Sequence, residues 1–210
     1  MDYLYDGSFN GLLTCLYEHY HSQKAENIYE AFYYQVSMTN QHRIINPDDV
    51  KAKKVSEAIE RLISKKALEF IYYVSLSNDR NKGNVILNFI VYGFKEKKDI
   101  TSFYEHPCVY PVCRIYKQVT VEIHRFLGLL RFSELEGVLY AQYKPDHNIT
   151  EIIVGHFSDR LKNERFIIFD EGRKIAAIYF QGSIIITDFD PIDFNPNSVE
   201  DNIKDLWKSY

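Results

Sequence analysis

The sequence has 210 residues, a mass of 24.8 kDa and a formal net charge of −4. Hydrophobic residues make up 46% of the chain and charged residues 26%, which is typical of a globular protein and excludes a disordered or collagen-like chain. The acidic balance argues against a broadly basic protein that coats nucleic acid, and with no apolar run of about 18 residues we expect no membrane span.

The first elements are predicted to be a strand and a helix. Tyr3–Asp6 has the pattern of a short strand, and apolar residues at helical spacing predict a helix over residues 9–21. Residues 22–40 have a mixed pattern. Arg43–Ile45 fits either a strand or an extended segment.

Four more helices are predicted between Pro47 and about residue 130. Pro47 suits the first position of a helix, with Asn46 as its N-cap. Two further helices are predicted over residues 66–76 and 82–95. A long helix is predicted to begin at Val112 and to end near residue 130.

After Leu130 the apolar pattern changes from helical to alternating. Leu129–Ser133 and Val138–Tyr143 flank a turn and are predicted to form a hairpin. Asn148–Glu151 resembles a capping box and predicts a helix that ends near Lys162.

The remaining pattern predicts strands and a short tail. The strands are predicted over Phe166–Phe169, Ile175–Phe180 and Ile184–Thr187, followed by a polar linker over 189–198 and a terminal helix. The fold class is therefore α+β, with a helical N-terminal half followed by an antiparallel sheet of four or more strands and one packed helix. We expect one domain over residues 1–210, with a boundary near residue 130 as the alternative.

The cysteines indicate a reducing compartment. Cys15, Cys108 and Cys113 are odd in number and form no C-x-x-C motif, and the N-terminus has no signal-peptide pattern. We therefore expect free thiols and a cytoplasmic location. No motif of a phosphate-loop, dinucleotide-binding, zinc-protease or α/β-hydrolase protein is present, and no cofactor or metal is expected.

The first polar cluster lies on the long predicted helix. Glu122 and Arg125 are spaced to pair along the helix, while His124 and Arg131 share another side. The simpler interpretation is a helix ion pair and a solvated histidine. The functional interpretation is a surface for a phosphate or carboxylate, because arginine supplies a bidentate donor and histidine a titratable one.

The second cluster surrounds the last predicted helix. Asn148 is predicted to cap it, and His156 and Arg160 fall on its apolar stripe, so a buried pair would need polar partners. Either these residues are satisfied within the core, or they line a pocket between helix and sheet. Asp146, His147 and His156 match no standard metal-site spacing.

A third pair, Asp170 and Arg173, follows a predicted strand. An aspartate at the start of a turn usually accepts hydrogen bonds from its own backbone. The alternative is that Asp170 orients His156 or Arg160.

Aromatic residues make up 15% of the chain and raise the question of base stacking. Phe32, Tyr33 and Tyr34, like Tyr72 and Tyr73, fall in segments with a helical pattern. We therefore expect these rings to pack in the core.

Five separated segments occur in the order found in one bacterial family. They are Tyr5-Asp6-Gly7-Ser8-Phe9-x-Gly11-Leu12-Leu13, His124-Arg125-x-x-Gly128-x-x-Arg131-Phe132-x-Glu134-x-x-Gly137, Pro145-Asp146-His147-Asn148, His156-Phe157-x-x-Arg160 and Asp170-x-x-Arg173. On these residues the sequence resembles the "probable DNA metabolism protein" family, which is built on a domain of unknown function. Members usually continue past Trp207 into a basic segment, whereas this sequence ends at Tyr210.

The resemblance implies a role beside a radical-SAM protein of DNA modification or repair. Related forms join the domain to a uracil-DNA-glycosylase-like domain. The leading hypothesis is an accessory protein in DNA repair or modification that binds the radical-SAM partner, a nucleic acid or both. The candidate binding residues are His124, Arg125, Arg131, His147, Asn148, Arg160 and Arg173.

A second hypothesis is a stand-alone hydrolase or glycosylase-like enzyme acting on nucleic acid. It would use Asp146 or Asp170 with His156 as an acid–base pair. A third is an interaction protein in which every polar motif serves the fold. Convergence of the side chains in one concave site would favour the enzyme, since a binding module can spread them over a surface.

Overall fold

The computed structural model describes residues 1–36, 41–135 and 137–189. The chain divides into two compact units, Met1–Thr120 and Val121–Tyr210. The expected single domain stays a prediction. The terminal helix lies outside the described residues, as does the linker apart from Phe189.

The first unit contains a three-stranded parallel sheet that the sequence predicts only in part. Strand β1 (Asp2–Tyr5) lies between β2 (Asn27–Glu30) and β3 (His42–Ile44). All four residues of β1 are buried, as expected of a central parallel strand. Of the two alternatives for Arg43–Ile45, the structure has the strand, one residue earlier in the chain, whereas β2 was not predicted.

Four helices lie wholly in the first unit, close to their predicted positions. They are α1 (Phe9–His21), α2 (Asp49–Leu62), α3 (Lys65–Ser75) and α4 (Lys82–Glu96). The N-cap predicted for α2 is wrong, because Asp48 occupies that position and its Oδ1 accepts the Lys51 N–H at 3.0 Å. The Ile45 N–H still donates to the Leu4 carbonyl at 2.8 Å, so pairing with β1 continues too far for the helix to begin at Pro47.

Helix α5 spans Tyr110–Leu129, and the division between the two units falls within it. Its last residue, Leu129, was predicted to begin the first strand of the hairpin. The Leu130 N–H donates to the Phe126 carbonyl at 3.0 Å, which continues the helical pattern. The hairpin is present, but its first strand, β4 (Ser133–Leu135), is shorter than predicted.

The second unit contains a five-stranded sheet with the strands in sequence order. After β4 come β5 (Val138–Tyr143), β6 (Phe166–Asp170), β7 (Ile175–Phe180) and β8 (Ser183–Asp188). The α+β class, with a helical N-terminal half and a sheet carrying one packed helix, is confirmed. The sheet differs from the expected antiparallel one at a single pair, since β5 and β6 are parallel. Helix α6 (Thr150–Arg160) connects these strands, and a helical crossover returns the chain in the same direction.

Helix α6 begins one residue later than a cap at Asn148 would require. Ile149 is its N-cap residue and makes no side-chain capping hydrogen bond. The Ile149 N–H donates to the His147 carbonyl at 2.9 Å, so a turn over these residues delays the helix. The capping role predicted for Asn148 is therefore wrong, and its side chain is exposed.

All three cysteines are free thiols, as predicted. Cys15 is buried, and burial raises its pKa to about 12. In the part of the chain that the structure describes, no helix combines the length and apolarity that crossing a membrane requires.

Candidate binding loop between β5 and α6

The candidate site is the loop over residues 144–149, which joins β5 to α6. Tyr143 and Asp170 end the parallel strands β5 and β6 and are register partners. The loop therefore leaves the carboxyl edge of the parallel pair, the edge at which sheets containing parallel strands commonly bind ligands.

The backbone N–H groups of the loop are held by one buried carboxylate. Glu122 Oε1 accepts the Asp146 N–H at 2.8 Å, and Oε2 accepts the His147 N–H at 2.9 Å. Arg125 Nη2 lies 3.4 Å from Oε1, so the predicted helix ion pair is present. The loop amides are the closer partners, and Glu122 thus joins helix α5 to the loop.

The carbonyl groups of the same loop are held from the other side by Arg173. Its Nη1 donates to the Pro145 carbonyl at 3.2 Å, and its Nη2 donates to the Asp146 carbonyl at 2.8 Å. Donors and acceptors of the loop backbone are therefore bound by side chains of opposite charge. Such charge-assisted hydrogen bonds are stronger than neutral ones and fix the loop conformation.

Arg173 is in turn positioned by Asp170, whose side chain is fully buried. Asp170 Oδ2 accepts from Arg173 Nη1 at 2.9 Å, while Oδ1 accepts the N–H groups of Gly172 and Arg173 at 2.9 and 3.2 Å. These bonds match the turn predicted for Asp170.

Two further hydroxyl groups extend this network. Tyr143 Oη and Thr150 Oγ1 lie 2.8 Å apart, and Thr150 donates to Asp170 Oδ2 at 3.4 Å. Burial raises the pKa of Tyr143, which keeps its hydroxyl neutral. The sequence analysis missed both residues, because an apolar strand ending in Tyr and a Thr at a helix start are ordinary patterns.

The clamped loop presents three polar side chains to solvent. Lys144, Asp146 and Asn148 are exposed, whereas His147 is buried. The ligand-accessible groups are thus an ammonium, a carboxylate and an amide on an immobilised backbone.

Four other predicted residues form no hydrogen bond with this network in the part of the chain that the structure describes: His124, Arg131, His156 and Arg160. His124 is exposed on α5, and Arg131 donates to the carbonyls of Gly128 and Leu130 at 2.9 and 3.2 Å, near the end of α5. His156 and Arg160 are exposed on α6, so the expectation that they are buried is wrong. The buried face of α6 is narrower than the apolar stripe in the sequence suggested, and it leaves out His156 and Arg160.

The structure therefore brings together part of the predicted set. The converging residues are Glu122, Asp146, His147, Asp170 and Arg173. Within residues 1–36, 41–135 and 137–189, no group of three or more His, Cys, Asp or Glu side chains is arranged to hold a metal ion.

Comparison with known proteins gives a family but no activity. A search of curated proteins found no significant match. Residues 80–210 match the family described as a domain of unknown function, DUF4130, and these residues include every predicted site residue. Because the match covers more than half of the sequence, the chain belongs to the DUF4130 family.

Proposed function

We propose that this protein is an accessory factor in DNA repair or DNA modification that acts by binding. Its partner is a radical-SAM protein, a nucleic acid or both, and it acts in the cytoplasm. The resemblance of its five sequence segments to DNA metabolism proteins supports the biological role. The β5–α6 loop supports the mode of action.

The observation that carries the proposal is the double clamp on this loop. Glu122 holds two of its N–H groups and Arg173 holds two of its carbonyls, while Asp146 and Asn148 remain exposed. An immobilised loop that displays polar side chains recognises a partner with a small loss of conformational entropy. Loops positioned by a rigid scaffold often carry recognition.

Binding is favoured over catalysis because the candidate acids and bases have different environments. Asp170 is fully buried and bound to Arg173 and the turn backbone, whereas His156 is exposed on α6. Within the described residues, neither Asp170 nor Asp146 forms a hydrogen bond or an ion pair with His156. An acid–base pair needs both groups within reach of one substrate.

Co-purification tests the proposal. The tagged protein is expressed together with the radical-SAM protein expected beside its gene, and the two are expected to elute as one complex. Asp146→Ala, Asn148→Ala, His156→Ala and Arg160→Ala replace exposed side chains and should leave the fold intact. The loop variants, Asp146→Ala and Asn148→Ala, are expected to weaken the complex most.

Glu164→Ala supplies a matched control, because Glu164 is exposed and its side chain takes no part in the clamp. Circular dichroism of every variant checks that the fold is retained. Separate elution of the unsubstituted proteins, together with no binding of DNA, would overturn the proposal. A complex that forms equally well with both loop variants would show that the β5–α6 loop is not the binding site.

A further inference from the structure

A second candidate site lies in the first unit, at the carboxyl end of strand β2. A cavity of about 190 Å³ opens beside the end of this strand. Its walls are formed by Tyr29, Glu30, Tyr33, Arg80 and Asn81. Nothing in the family match assigns a role to this cavity, and the sequence analysis did not predict it.

The Glu30 carboxylate that lines the cavity forms a shielded ion pair with Lys82 behind it. Lys82 Nζ lies 2.7 Å from Glu30 Oε1 and also donates to the Ser77 carbonyl at 2.8 Å. Both side chains are largely buried, with 10% of Lys82 and 16% of Glu30 exposed. The pair fixes the position of the Glu30 carboxylate at the cavity.

Two residues that neighbour this ion pair carry buried hydroxyl groups for which the described part of the chain supplies no hydrogen-bond partner. They are Tyr5 Oη and Ser77 Oγ, on residues that are 1% and 3% exposed. Tyr5 is the register partner of Glu30, so both side chains project from the same face of the sheet. Ser77 supplies the carbonyl that binds Lys82. Neither residue is among those that line the cavity, so the chemistry of its ligand follows from the lining side chains alone.

The opposite wall is aromatic and cationic. The Arg80 guanidinium carbon lies 5.0 Å from the centre of the Tyr33 ring, and that residue is 47% exposed. The neighbouring Phe32 is 88% exposed and contacts Tyr33 edge to face. The expectation that these rings pack in the core is wrong, because Ala31–Tyr33 forms a short 3-10 turn at the surface.

The lining restricts the chemistry of the ligand. A free anion would meet the Glu30 carboxylate, a cation would meet Arg80, and an apolar molecule would leave both charges unsolvated. A neutral planar ring can stack on the face of the Tyr33–Arg80 pair that remains open, since these two groups already contact each other. N–H groups on its edge can donate to the Glu30 carboxylate, and Asn81 Nδ2 offers a donor, while Asn81 Oδ1 already accepts from Asn84 Nδ2 at 2.8 Å.

We propose that this cavity binds a nucleobase, which stacks on the open face of the Tyr33–Arg80 pair and is contacted at its edge by Glu30 and Asn81. The volume accommodates one heterocycle. The exposed Phe32 ring can stack the following base when the ligand is single-stranded nucleic acid. The proposal does not rest on the radical-SAM partnership, since every residue that carries it lies in the first unit.

Two binding measurements on the full chain distinguish the sources of the base. Calorimetry with the free nucleosides tests a small-molecule ligand. Fluorescence anisotropy with labelled single strands of one base type, about ten nucleotides long, tests a nucleic acid. Binding in either measurement is expected to fall about tenfold in Tyr33→Ala and Arg80→Ala, because base stacking is lost. Tyr33→Phe keeps the ring and is expected to retain binding.

Tyr110→Ala is the matched control, since Tyr110 is also an exposed tyrosine of the first unit, with 58% of its surface exposed. Thermal unfolding confirms that each variant is folded. The proposal is overturned if neither nucleosides nor single strands bind, or if Tyr33→Ala binds as tightly as Tyr110→Ala. Oligonucleotide binding that is unaffected by Tyr33→Ala and steeply dependent on salt would instead indicate phosphate contacts elsewhere.

Discussion

At the scale of single residues, Glu122 is the clearest case of a side chain whose role depends on tertiary structure. Its spacing to Arg125 predicts a helix ion pair, and that pair exists at 3.4 Å. The stronger interactions are with the amides of Asp146 and His147, more than 20 residues further along the chain. A sequence pattern cannot reveal them, because the loop and the helix meet only in the fold.

We expect Glu122→Gln to lower the free energy of unfolding by about 1–3 kcal/mol. The amide keeps one oxygen as an acceptor, but its NH₂ group faces an N–H of the loop, and one buried donor loses its partner. Urea unfolding of the full chain measures the change. Glu164→Gln alters an exposed carboxylate and should change stability little; an equal loss in both variants would contradict the clamp.

His19 links stability to pH in the first unit. Its side chain is buried, and its Nδ1 accepts the Ala25 N–H at 3.1 Å. Burial, with the nearby Lys24 charge, lowers the pKa of His19. The folded chain therefore holds the imidazole neutral at a pH where the unfolded chain protonates it.

The free energy of unfolding should therefore fall as the pH is lowered through the ordinary histidine pKa of about 6.5. This part of the loss should be smaller in His19→Asn, whose side chain can still accept a hydrogen bond but does not titrate. Urea unfolding at a series of pH values measures the slope. His21→Asn, which replaces an exposed histidine of the same helix, is the control, and a pH slope reduced equally in both variants would contradict the assignment to His19.

Individual residues also show where pattern-based prediction fails. The turn predicted for Asp170 is confirmed because an aspartate at a turn start bonds to its own nearby backbone. The burial predicted for His156 is wrong, because the helical pattern gives a stripe but not the width of the surface that covers it. Local contacts were predictable here, whereas burial was not.

At the scale of elements, the approach of α4 to β2 positions the cavity of the first unit. Gly83 lies against the backbone of β2, where a Cβ atom would come within 2.4 Å of the Ile28 carbonyl oxygen. The next residue, Asn84, accepts the Ile28 N–H through its Oδ1 at 2.7 Å. This contact places Lys82 beside Glu30 and thereby forms the buried ion pair.

We expect Gly83→Ala to destabilise the protein, despite the higher helix propensity of alanine, because backbone atoms would have to move apart. A loss of about 1–3 kcal/mol in the free energy of unfolding follows from overpacking at such a contact. Gly155→Ala is the matched control within a helix, since nothing lies within 4 Å of its Cβ position. That variant should be neutral or slightly more stable. Equal effects at the two glycines would contradict the close contact.

The elements themselves were largely predictable where their patterns were long. The amphipathic helices and the strands β6, β7 and β8 lie within a few residues of their predicted positions. Strand β2 is only four residues long and was missed. The parallel pairing of β5 with β6 was also missed, since pairing direction depends on how α6 returns the chain.

At the scale of the whole molecule, the two candidate sites differ in how visible they are in the sequence. The β5–α6 loop is clamped by Glu122 and Arg173, which lie 24 and 27 residues from Asp146, but most of its residues fall in motifs that the family resemblance marks. The cavity of the first unit joins β2 to the start of α4, about 50 residues apart, and its aromatic residues follow a pattern that also predicts core packing. Both sites join distant residues, so the second site was missed because no motif marked its residues.

Each site is complete within its own unit, which predicts that the two binding activities are separable. Tyr33→Ala should lose nucleobase binding and keep the radical-SAM complex, and Asp146→Ala should do the reverse. Their combination should lose both activities, with each loss equal to that of the single variant, because effects at sites without shared partners add. Co-purification and anisotropy on the same four proteins measure this. Loss of both activities in either single variant would show that one site serves both ligands.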